Sequence, residues 1–356
     1  MSAPPEKILV IRRDNIGDLL CTTPLFTALR RHYPAARITA LVNSYNAPAL
    51  YGNRDLDQVL IYEKAKHRTA DKSFWHWLHG RWRVYRTLRS EDFDLVLLAT
   101  PAFSATAFKF ATMTRAKKIV GHGLPTANPD WISVPPAADG QHEVERVFGL
   151  LRPLGIEGTP SAMSLTADPA QRQRLLASLP ATVDRRRLVA LHISARKPRQ
   201  RWPGERFAEL ARQLLADAAN HLLVFWAPGS ATNAAHPGDD EKAAALAATL
   251  RALPVSFIRT TRLEELIAGI SLCERVICAD GGAMHVAAAL QKPLVCLFGN
   301  SEAARWYPWA VPHRLLQSAS QDVSEISVEA VLAAYHQLAS EQSDAGNPAG
   351  AGVPVG

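Results

Sequence analysis

The sequence predicts an α/β protein with two domains, each built on a parallel β-sheet with crossover helices. Its 356 residues exceed what one ordinary hydrophobic core accommodates. Short β-branched runs alternate with helical stretches through both halves of the chain, a pattern typical of parallel sheets. A polar stretch with three prolines, residues 158–187, lies between the halves and is predicted to contain the domain boundary.

Ten strands are predicted, five in each half. They cover residues 7–12, 38–42, 58–62, 94–99 and 118–121, and then 188–194, 222–227, 255–258, 275–279 and 293–298. We expect an N-terminal domain at residues 1–175, a C-terminal domain at 176–340 and a disordered tail at 341–356, which is poor in large apolar residues. Open parallel sheets bind ligands beyond the carboxyl ends of their strands, so the loops that leave those ends should carry the chemistry.

Composition narrows the class of protein. The chain is 47% hydrophobic and 21% charged, as globular proteins are, and no apolar run approaches the roughly 20 residues of a spanning helix. The first residues lack the basic-then-apolar layout of a secretory signal, which predicts a cytosolic protein. A net charge of +7 favours anionic partners such as phosphates, nucleic acid or an acidic membrane surface.

The scattered cysteines are predicted to be buried thiols: Cys21, Cys273, Cys278 and Cys296.

The loop after the first strand, Arg12–Pro24, is the first candidate for chemistry. Gly17 permits a tight turn, which would place Asp18 near the start of a helix, where the helix dipole stabilises a carboxylate. Asp18 would then either deprotonate an incoming hydroxyl or only cap the helix. Thr23, just before a proline, offers a second position for the helix start. Asp14 is interpreted as a turn residue or as a partner of a neighbouring arginine.

A glycine turn follows the predicted strand at residues 275–279. Gly281 and Gly282 would let backbone N–H groups approach a diphosphate at the positive end of the next helix. Asp280 would anchor this turn or accept a ligand hydroxyl, and His285 would contact phosphate oxygens or be structural. Many such turns bind nothing, so the turn alone does not define a site.

Two further loops of the second half carry charge at strand ends. Lys197, Arg199 and Arg201 would neutralise a leaving phosphate, unless their loop is simply solvated. Asp240, in an acidic run that opens a helix, would accept ribose hydroxyls or stabilise the helix start.

The segment Lys64–Ser90 combines tryptophan with many basic residues. Trp75, Trp77 and Trp82 lie in a stretch that has an apolar arc at helical spacing. This pattern favours a crossover helix on the first sheet, and contact with anionic lipid is compatible with that role. No nucleic-acid-binding motif accompanies the charge, so nucleic acid is not a predicted partner.

Taken together, KILVIRRDNIGDLLCTTPLFTALRRHYP and ADGGAMHVAAALQKPLVCLFGNSEAARWYPW resemble glycosyltransferase family 9, the heptosyltransferases that build the inner core of lipopolysaccharide. The second segment is the more specific one, because it places Asp, Gly and His ahead of an apolar helix and an Arg-Trp near a Pro-Trp. His142–Leu151 resembles the family's helix near the end of the first domain. The resemblance implies a GT-B fold, in which two Rossmann-like domains face a central cleft. It also implies an ADP-heptose donor and inversion at the anomeric carbon without a metal or other cofactor.

The resemblance also assigns roles to residues. Asp18 matches the catalytic base, and the N-terminal domain would bind the acceptor through Arg13, Asn15, Thr22 and Thr23. By the same resemblance, Asp280, Gly281, Gly282 and His285 would form the donor-diphosphate loop of the C-terminal domain. The other predicted donor contacts, argued above from their charge, are Lys197, Arg199, Arg201 and Asp240. The expected acceptor is a lipid A-core saccharide, which implies peripheral contact with the anionic cytoplasmic face of the inner membrane.

This chain departs from the family pattern at several positions. Gln200 stands where the family usually has a lysine two residues before Trp-Pro, Gly281 replaces a usual Ser or Thr, and Ala283 replaces a usual Pro. The alternatives are therefore a family 9 enzyme with another nucleotide sugar or acceptor, and a non-catalytic nucleotide-sugar-binding protein. A nicotinamide dehydrogenase is disfavoured because no G-x-G-x-x-G follows either opening strand.

Overall fold

The computed structural model describes residues 3–63, 74–123, 128–181, 183, 187–233 and 237–345. The chain divides into two compact units, and each contains a six-stranded parallel sheet with helices. The predicted fold class, two Rossmann-like α/β domains, is therefore confirmed.

The sheet of the first unit has the strand order of a doubly wound fold. Its strands are β1 (Lys7–Ile11), β2 (Arg37–Asn43), β3 (Gln58–Tyr62), β4 (Leu95–Leu98), β5 (Lys118–His122) and β6 (Trp131–Val134). They lie in the order β3-β2-β1-β4-β5-β6, and every neighbouring pair is parallel. The order reverses between β1 and β4, and in doubly wound sheets the carboxyl ends at this reversal hold ligands.

The second sheet repeats this topology. Its strands are β7 (Leu188–His192), β8 (His221–Trp226), β9 (Val255–Arg259), β10 (Arg275–Ala279), β11 (Leu294–Phe298) and β12 (His313–Gln317). Their order is β12-β11-β10-β7-β8-β9, again with parallel neighbours, so the reversal lies between β7 and β10. The loops after these two strands hold the basic residues and the glycine turn.

Helices connect the strands in both units. Those before the boundary are α1 (Ile16–Leu20), α2 (Thr23–His32), α3 (Phe74–Ser90), α4 (Ala105–Met113) and α5 (Glu143–Phe148). Those after it are α6 (Pro169–Ser178), α7 (Gly204–Leu214), α8 (Asp240–Leu250), α9 (Leu263–Leu272), α10 (Gly282–Ala289), α11 (Ala303–Trp306) and α12 (Val328–Ala345). Short 3₁₀ helices lie at Ala47–Leu50, Gly149–Leu154, Pro198–Gln200 and Val323–Glu325.

Each unit has its own apolar core, in which the central strands of its sheet are buried. In the first unit, β1 and β4 pack against α4, with Leu9, Val96 and Phe110 buried. In the second unit, the core includes Trp202, whose indole Nε1 donates to the Ile326 carbonyl at 2.9 Å. Because Trp202 closes the basic loop after β7, that loop is anchored to the core at its end.

The division of the chain differs from the expected one at three places. The first unit ends at Asp168, and the expected boundary at 175/176 falls inside α6, which packs on α9 of the second unit. The segment Glu302–Ala310 belongs to the first unit, where Trp309 Nε1 donates to the Ser161 carbonyl at 2.9 Å. Helix α12 extends to Ala345, five residues into the expected tail, and residues 346–356 lie outside the described part of the chain.

Helix α3 agrees with the crossover-helix interpretation of the Trp-rich segment. Val84 and Leu88 are buried in the core of the first unit, whereas the side chain of Trp82 is 52% exposed. Lys64, Lys66 and Lys72 and the side chains of Trp75 and Trp77 lie outside the description. Within the described ranges, no helix has both the length and the apolar character needed to cross a membrane. All four cysteines are buried thiols, as predicted.

Candidate active site

A buried arginine organises the polar cluster at the carboxyl end of β1. Arg12 has no solvent exposure, and its Nη2 atom donates to Asp18 Oδ1 at 2.7 Å and to Glu143 Oε1 at 2.8 Å. Its Nη1 atom donates to the Ala99 carbonyl at the end of β4. Asp14 Oδ2 lies 3.3 Å from Arg12 Nε, which agrees with the predicted pairing of Asp14. A buried guanidinium requires such partners because an uncompensated charge in the interior is costly.

Asp18 both caps α1 and faces outward. Its Oδ2 atom accepts hydrogen bonds from the backbone N–H of Asn15 at 3.0 Å and from Asn15 Nδ2 at 2.9 Å. Burial by itself raises the pKa of Asp18, but the Arg12 charge and the Asn15 hydrogen bonds outweigh it, so the pKa lies below its ordinary value. With 14% of its side chain exposed, Asp18 is an ionised carboxylate within reach of a ligand.

Glu143 extends the cluster away from Asp18. It is the first residue of α5 and is fully buried. Its Oε2 atom accepts from Arg305 Nε at 3.0 Å and from Arg305 Nη2 at 2.7 Å. The four side chains Asp18, Arg12, Glu143 and Arg305 therefore alternate in charge from the end of β1 to α11. The sequence analysis did not single out Glu143 or Arg305. The available signals were the second residue of the family-like segment HEVERVF and the arginine of the Arg-Trp pair.

Two of the four predicted acceptor contacts are corrected by the structure. Thr22 and Thr23 are fully buried, and their hydroxyls donate to the carbonyls of Asp18 at 2.9 Å and Leu20 at 2.7 Å. Helix α2 begins at Thr23, as the proline after it suggested. Both threonines therefore support the α1–α2 turn and do not reach a ligand surface.

Arg13 and Asn15, the other two predicted contacts, keep exposed surface. The Arg13 guanidinium carbon lies 4.7 Å from the ring centre of Tyr62, at the end of β3. Arg81 approaches the same ring at 4.9 Å and donates to the Tyr85 hydroxyl at 2.8 Å. Two cations beside one aromatic ring form a surface that attracts anions.

The second unit presents a glycine turn at the carboxyl end of β10. Gly281 has φ +153° and ψ −162°, a conformation that is essentially restricted to glycine. It is the N-cap of α10, which begins at Gly282, so the first N–H groups of the helix follow this turn. His285 is buried within α10. This is the backbone arrangement predicted for an anion-binding turn.

Gln200 occupies the position where the family usually has lysine. Its Nε2 atom donates to Asp280 Oδ2 at 2.7 Å and to Ser301 Oγ at 3.0 Å, and both Gln200 and Asp280 are buried. Lys197 Nζ lies 3.4 Å from the same Ser301 oxygen. Burial raises the pKa of Asp280, and its hydrogen bonds and nearby Lys197 oppose that shift. Lys197 therefore brings a positive charge to the cluster that Gln200 cannot supply.

Two side chains that were predicted to contact the nucleotide sugar instead bind other parts of the second unit. Arg201 donates to the Ala195 carbonyl at 2.8 Å and pairs with buried Asp239, so its guanidinium joins two loops and the structure does not support a direct role in donor binding. Asp240 accepts from Trp226 Nε1 at 2.8 Å and from the Gly229 N–H at 2.9 Å, which hold the loop after β8. Its role toward ribose stays a prediction.

Arg199 is exposed, and its Nη1 atom donates to the Ser320 carbonyl at 3.3 Å. Its backbone packs closely on Gly299, after β11, where a Cβ atom would lie 2.4 Å from the Arg199 carbonyl oxygen. Only glycine permits this approach, which holds the basic loop against the end of β11. Among the residues described, no group of three or more His, Cys, Asp or Glu side chains is arranged to hold a metal ion.

Comparison with known proteins identifies the family. The model of glycosyltransferase family 9 (heptosyltransferase) matches residues 81–336. The chain belongs to glycosyltransferase family 9. It is 26% identical to lipopolysaccharide heptosyltransferase 3 of Escherichia coli K12 over 298 residues, which cover 82% of each chain. The predicted class of enzyme, a glycosyltransferase, is thereby confirmed.

Solved structures share the fold of this glycosyltransferase. A family 9 glycosyl transferase from Veillonella parvula aligns with a TM-score of 0.77 at 21% identity, covering 94% of this chain and 97% of the other. The E. coli heptosyltransferase WaaC, solved with ADP, aligns with a TM-score of 0.73 at 20% identity, covering 93% and 99%. At this level of identity the alignments establish the fold alone.

Proposed function

We propose that this glycosyltransferase moves a heptose from ADP-heptose to a saccharide of the lipopolysaccharide core, with inversion at the anomeric carbon and without a metal. The observation that carries the proposal is the ionised, partly exposed Asp18 held by Arg12 at the carboxyl end of β1. Membership of family 9 supports the reaction type. The name of a lipopolysaccharide relative and the ADP in a structural relative support the acceptor and the donor nucleotide.

In the proposed reaction, Asp18 acts as general base. An acceptor hydroxyl gives its proton to the Asp18 carboxylate while its oxygen forms a bond to the anomeric carbon. The bond from that carbon to the phosphate oxygen breaks on the opposite side, and ADP leaves with the electron pair. General bases of this kind typically contribute about 10²- to 10⁴-fold in rate. Because the pKa of Asp18 lies below its ordinary value, the base is ionised at neutral pH.

We assign the departing diphosphate to the glycine turn before α10. The N–H groups and the positive end of a helix stabilise phosphate charge. Lys197 and Arg199, which are exposed, supply the positive charge, since Arg201 is paired with Asp239. Gln200 donates to Oδ2 of Asp280, and we assign to this carboxyl a hydrogen bond from a hydroxyl of the sugar donor.

We assign the acceptor to the surface beside Asp18. Arg13 and Arg81 flank Tyr62 and favour an anionic saccharide. The outer side of α3, with exposed Trp82 and the Arg86 guanidinium 5.3 Å from its ring centre, is suited to an anionic membrane surface. We therefore place the enzyme at the cytoplasmic face of the inner membrane during transfer.

The membrane assignment predicts a change in vesicle binding. Replacing Lys64, Lys66, Lys72 and Arg81 with Gln should weaken cosedimentation with phosphatidylglycerol vesicles at low salt, because each basic residue near such a surface contributes about 1 kcal/mol. Neutral phosphatidylcholine vesicles are the control and should bind both proteins equally poorly. Unchanged binding to the anionic vesicles would remove this segment from the membrane assignment.

Gly299 gives a test of the donor loop. Gly299→Ala should weaken ADP binding by about tenfold, because the added methyl group displaces the backbone of Arg199 and moves the basic loop. Titration calorimetry with ADP measures the effect. Gly149→Ala is the matched control, since a Cβ atom there meets no neighbouring atom within 4 Å. Equal ADP affinity in Gly299→Ala and the unchanged protein would exclude the loop from donor binding.

The function itself is tested with a panel of nucleotide sugars. Release of free nucleotide is measured with and without extracted core oligosaccharide that lacks heptose. We expect acceptor-dependent release of ADP from ADP-heptose. Release from a different nucleotide sugar would correct the donor, and binding of ADP-heptose without product would identify a nucleotide-sugar-binding protein.

A further inference from the structure

Arg305 reaches the base cluster from a distant part of the sequence. It lies on α11, in the segment Glu302–Ala310 that belongs to the first unit. Its guanidinium donates twice to Glu143 Oε2, at 3.0 and 2.7 Å, and packs on the ring of Trp306 at 4.8 Å. The side chain is 22% exposed, whereas Glu143 is fully buried. Arg305 is therefore the partly exposed partner of a fully buried carboxylate.

The charges of the cluster explain why Arg305 matters for Asp18. Arg12 and Arg305 face three carboxylates, those of Asp14, Asp18 and Glu143, so the net charge is −1. Asp18 and Glu143 accept from the same atom, Nη2 of Arg12, at 2.7 and 2.8 Å. Without Arg305, the buried Glu143 would depend on Arg12 alone and would compete with Asp18 for that one nitrogen.

We propose that Arg305 is a positioning residue for the catalytic base: it binds the second oxygen of Glu143, and this leaves the Arg12 guanidinium shared with Asp18 in the geometry needed for proton abstraction. The inference rests on the proposed role of Asp18. Arg305 touches neither Asp18 nor, in this assignment, the substrates. Its influence passes through Glu143 and Arg12.

Two further titratable groups that the structure describes near the cluster, Cys21 and His142, make contacts of their own. Cys21 is buried beside it, and burial holds the pKa of the Cys21 thiol well above its usual value, so the thiol is neutral. His142, the N-cap of α5, has its Nε2 atom 2.8 Å from the Tyr307 carbonyl and its Nδ1 atom 3.1 Å from the Val144 N–H. Loss of the Arg305 charge should raise the pKa of Asp18, because the buried Glu143 would then draw more of the Arg12 charge, which is the positive charge that lowers the pKa of Asp18.

The test compares pH profiles of transfer in Arg305→Gln and Arg305→Lys. In Arg305→Gln, we expect kcat for ADP-heptose and heptose-free core oligosaccharide to fall about tenfold, with the KM for ADP-heptose nearly unchanged. The acidic limb of kcat/KM should move to higher pH, because it reports the ionisation of the base in the free enzyme. Arg305→Lys keeps the charge and should restore the limb to its original position.

Arg30→Gln is the matched control. Arg30 also lies in the first unit, is 22% exposed and pairs with a carboxylate, Asp57, at 2.5 Å. The Arg30→Gln variant should have the same pH profile of kcat/KM as the unchanged protein. An Arg305→Gln enzyme that is folded by circular dichroism and has the acidic limb and kcat of the unchanged protein would overturn the inference. So would an equal shift in Arg305→Lys. If Asp18→Asn is fully active, the proposed base is wrong; if Asp18→Asn is inactive while Arg305→Gln is normal, only the role of Arg305 is wrong.

Discussion

Replacing Asp18 with Asn should lower kcat about 10²- to 10⁴-fold, the range a general base contributes. The amide has the volume of the carboxylate, and its oxygen can still accept from Asn15, so the capping of α1 is retained. What is lost is the site that receives the proton of the acceptor hydroxyl, together with the ion pair and hydrogen bond from Arg12 Nη2 to Oδ1. Turnover is measured as ADP release from ADP-heptose with heptose-free core oligosaccharide.

Two measurements separate this effect from a change of structure. Calorimetry should show ADP binding close to that of the unchanged protein, because Asp18 lies in the first unit and the diphosphate is assigned to the second. Asp57→Asn is the control, since it also removes a carboxylate from an arginine pair of the first unit and should keep full activity. Full turnover in Asp18→Asn would remove Asp18 from the mechanism.

Arg12→Met should lower the free energy of unfolding of the first unit by about 3–5 kcal/mol, the cost of breaking a buried ion pair by removing one partner. The change leaves Glu143 buried with Arg305 as its remaining partner and takes the donor from the Ala99 carbonyl. Urea unfolding followed by circular dichroism measures the effect.

A double variant tests the reason for this destabilisation. Adding Glu143→Gln to Arg12→Met removes the buried charge that the first change leaves under-compensated. The double variant should therefore be less destabilised than the two single effects added together. Simple additivity, or an Arg12→Met protein as stable as the unchanged one, would show that Arg12 and Glu143 do not stabilise each other.

Most of the fold could be predicted because the central strands are buried on both faces. Runs such as ILVI in β1 and VICA in β10 are continuous apolar segments, which are typical of strands in a parallel sheet that is covered on both faces. The strands that were not predicted, β6 and β12, lie at the sheet edges, are only partly buried and lack that signal. The expected boundary at 175/176 lies within α6, a helix without a buried residue and therefore without an apolar pattern that would mark it in the sequence.

Site residues that follow the end of a strand could be predicted from the sequence. Site residues that reach the cluster from distant parts of the chain were not predicted. Asp18 and Asp280 could be found because each follows a central strand near the point where the strand order reverses. Glu143 and Arg305 were not singled out, since they meet Arg12 and each other across 131 and 162 residues of sequence. Thr22 was misassigned because sequence does not reveal that its hydroxyl is bonded to the backbone of the adjacent turn.

The most direct test of the proposed chemistry is the configuration of the product. The unchanged protein is incubated with ADP-heptose of defined anomeric configuration and heptose-free core oligosaccharide, and the new linkage is examined by nuclear magnetic resonance. A single displacement assisted by Asp18 predicts a transferred heptose whose anomeric configuration is opposite to that of the donor. A product that keeps the configuration of the donor would contradict it.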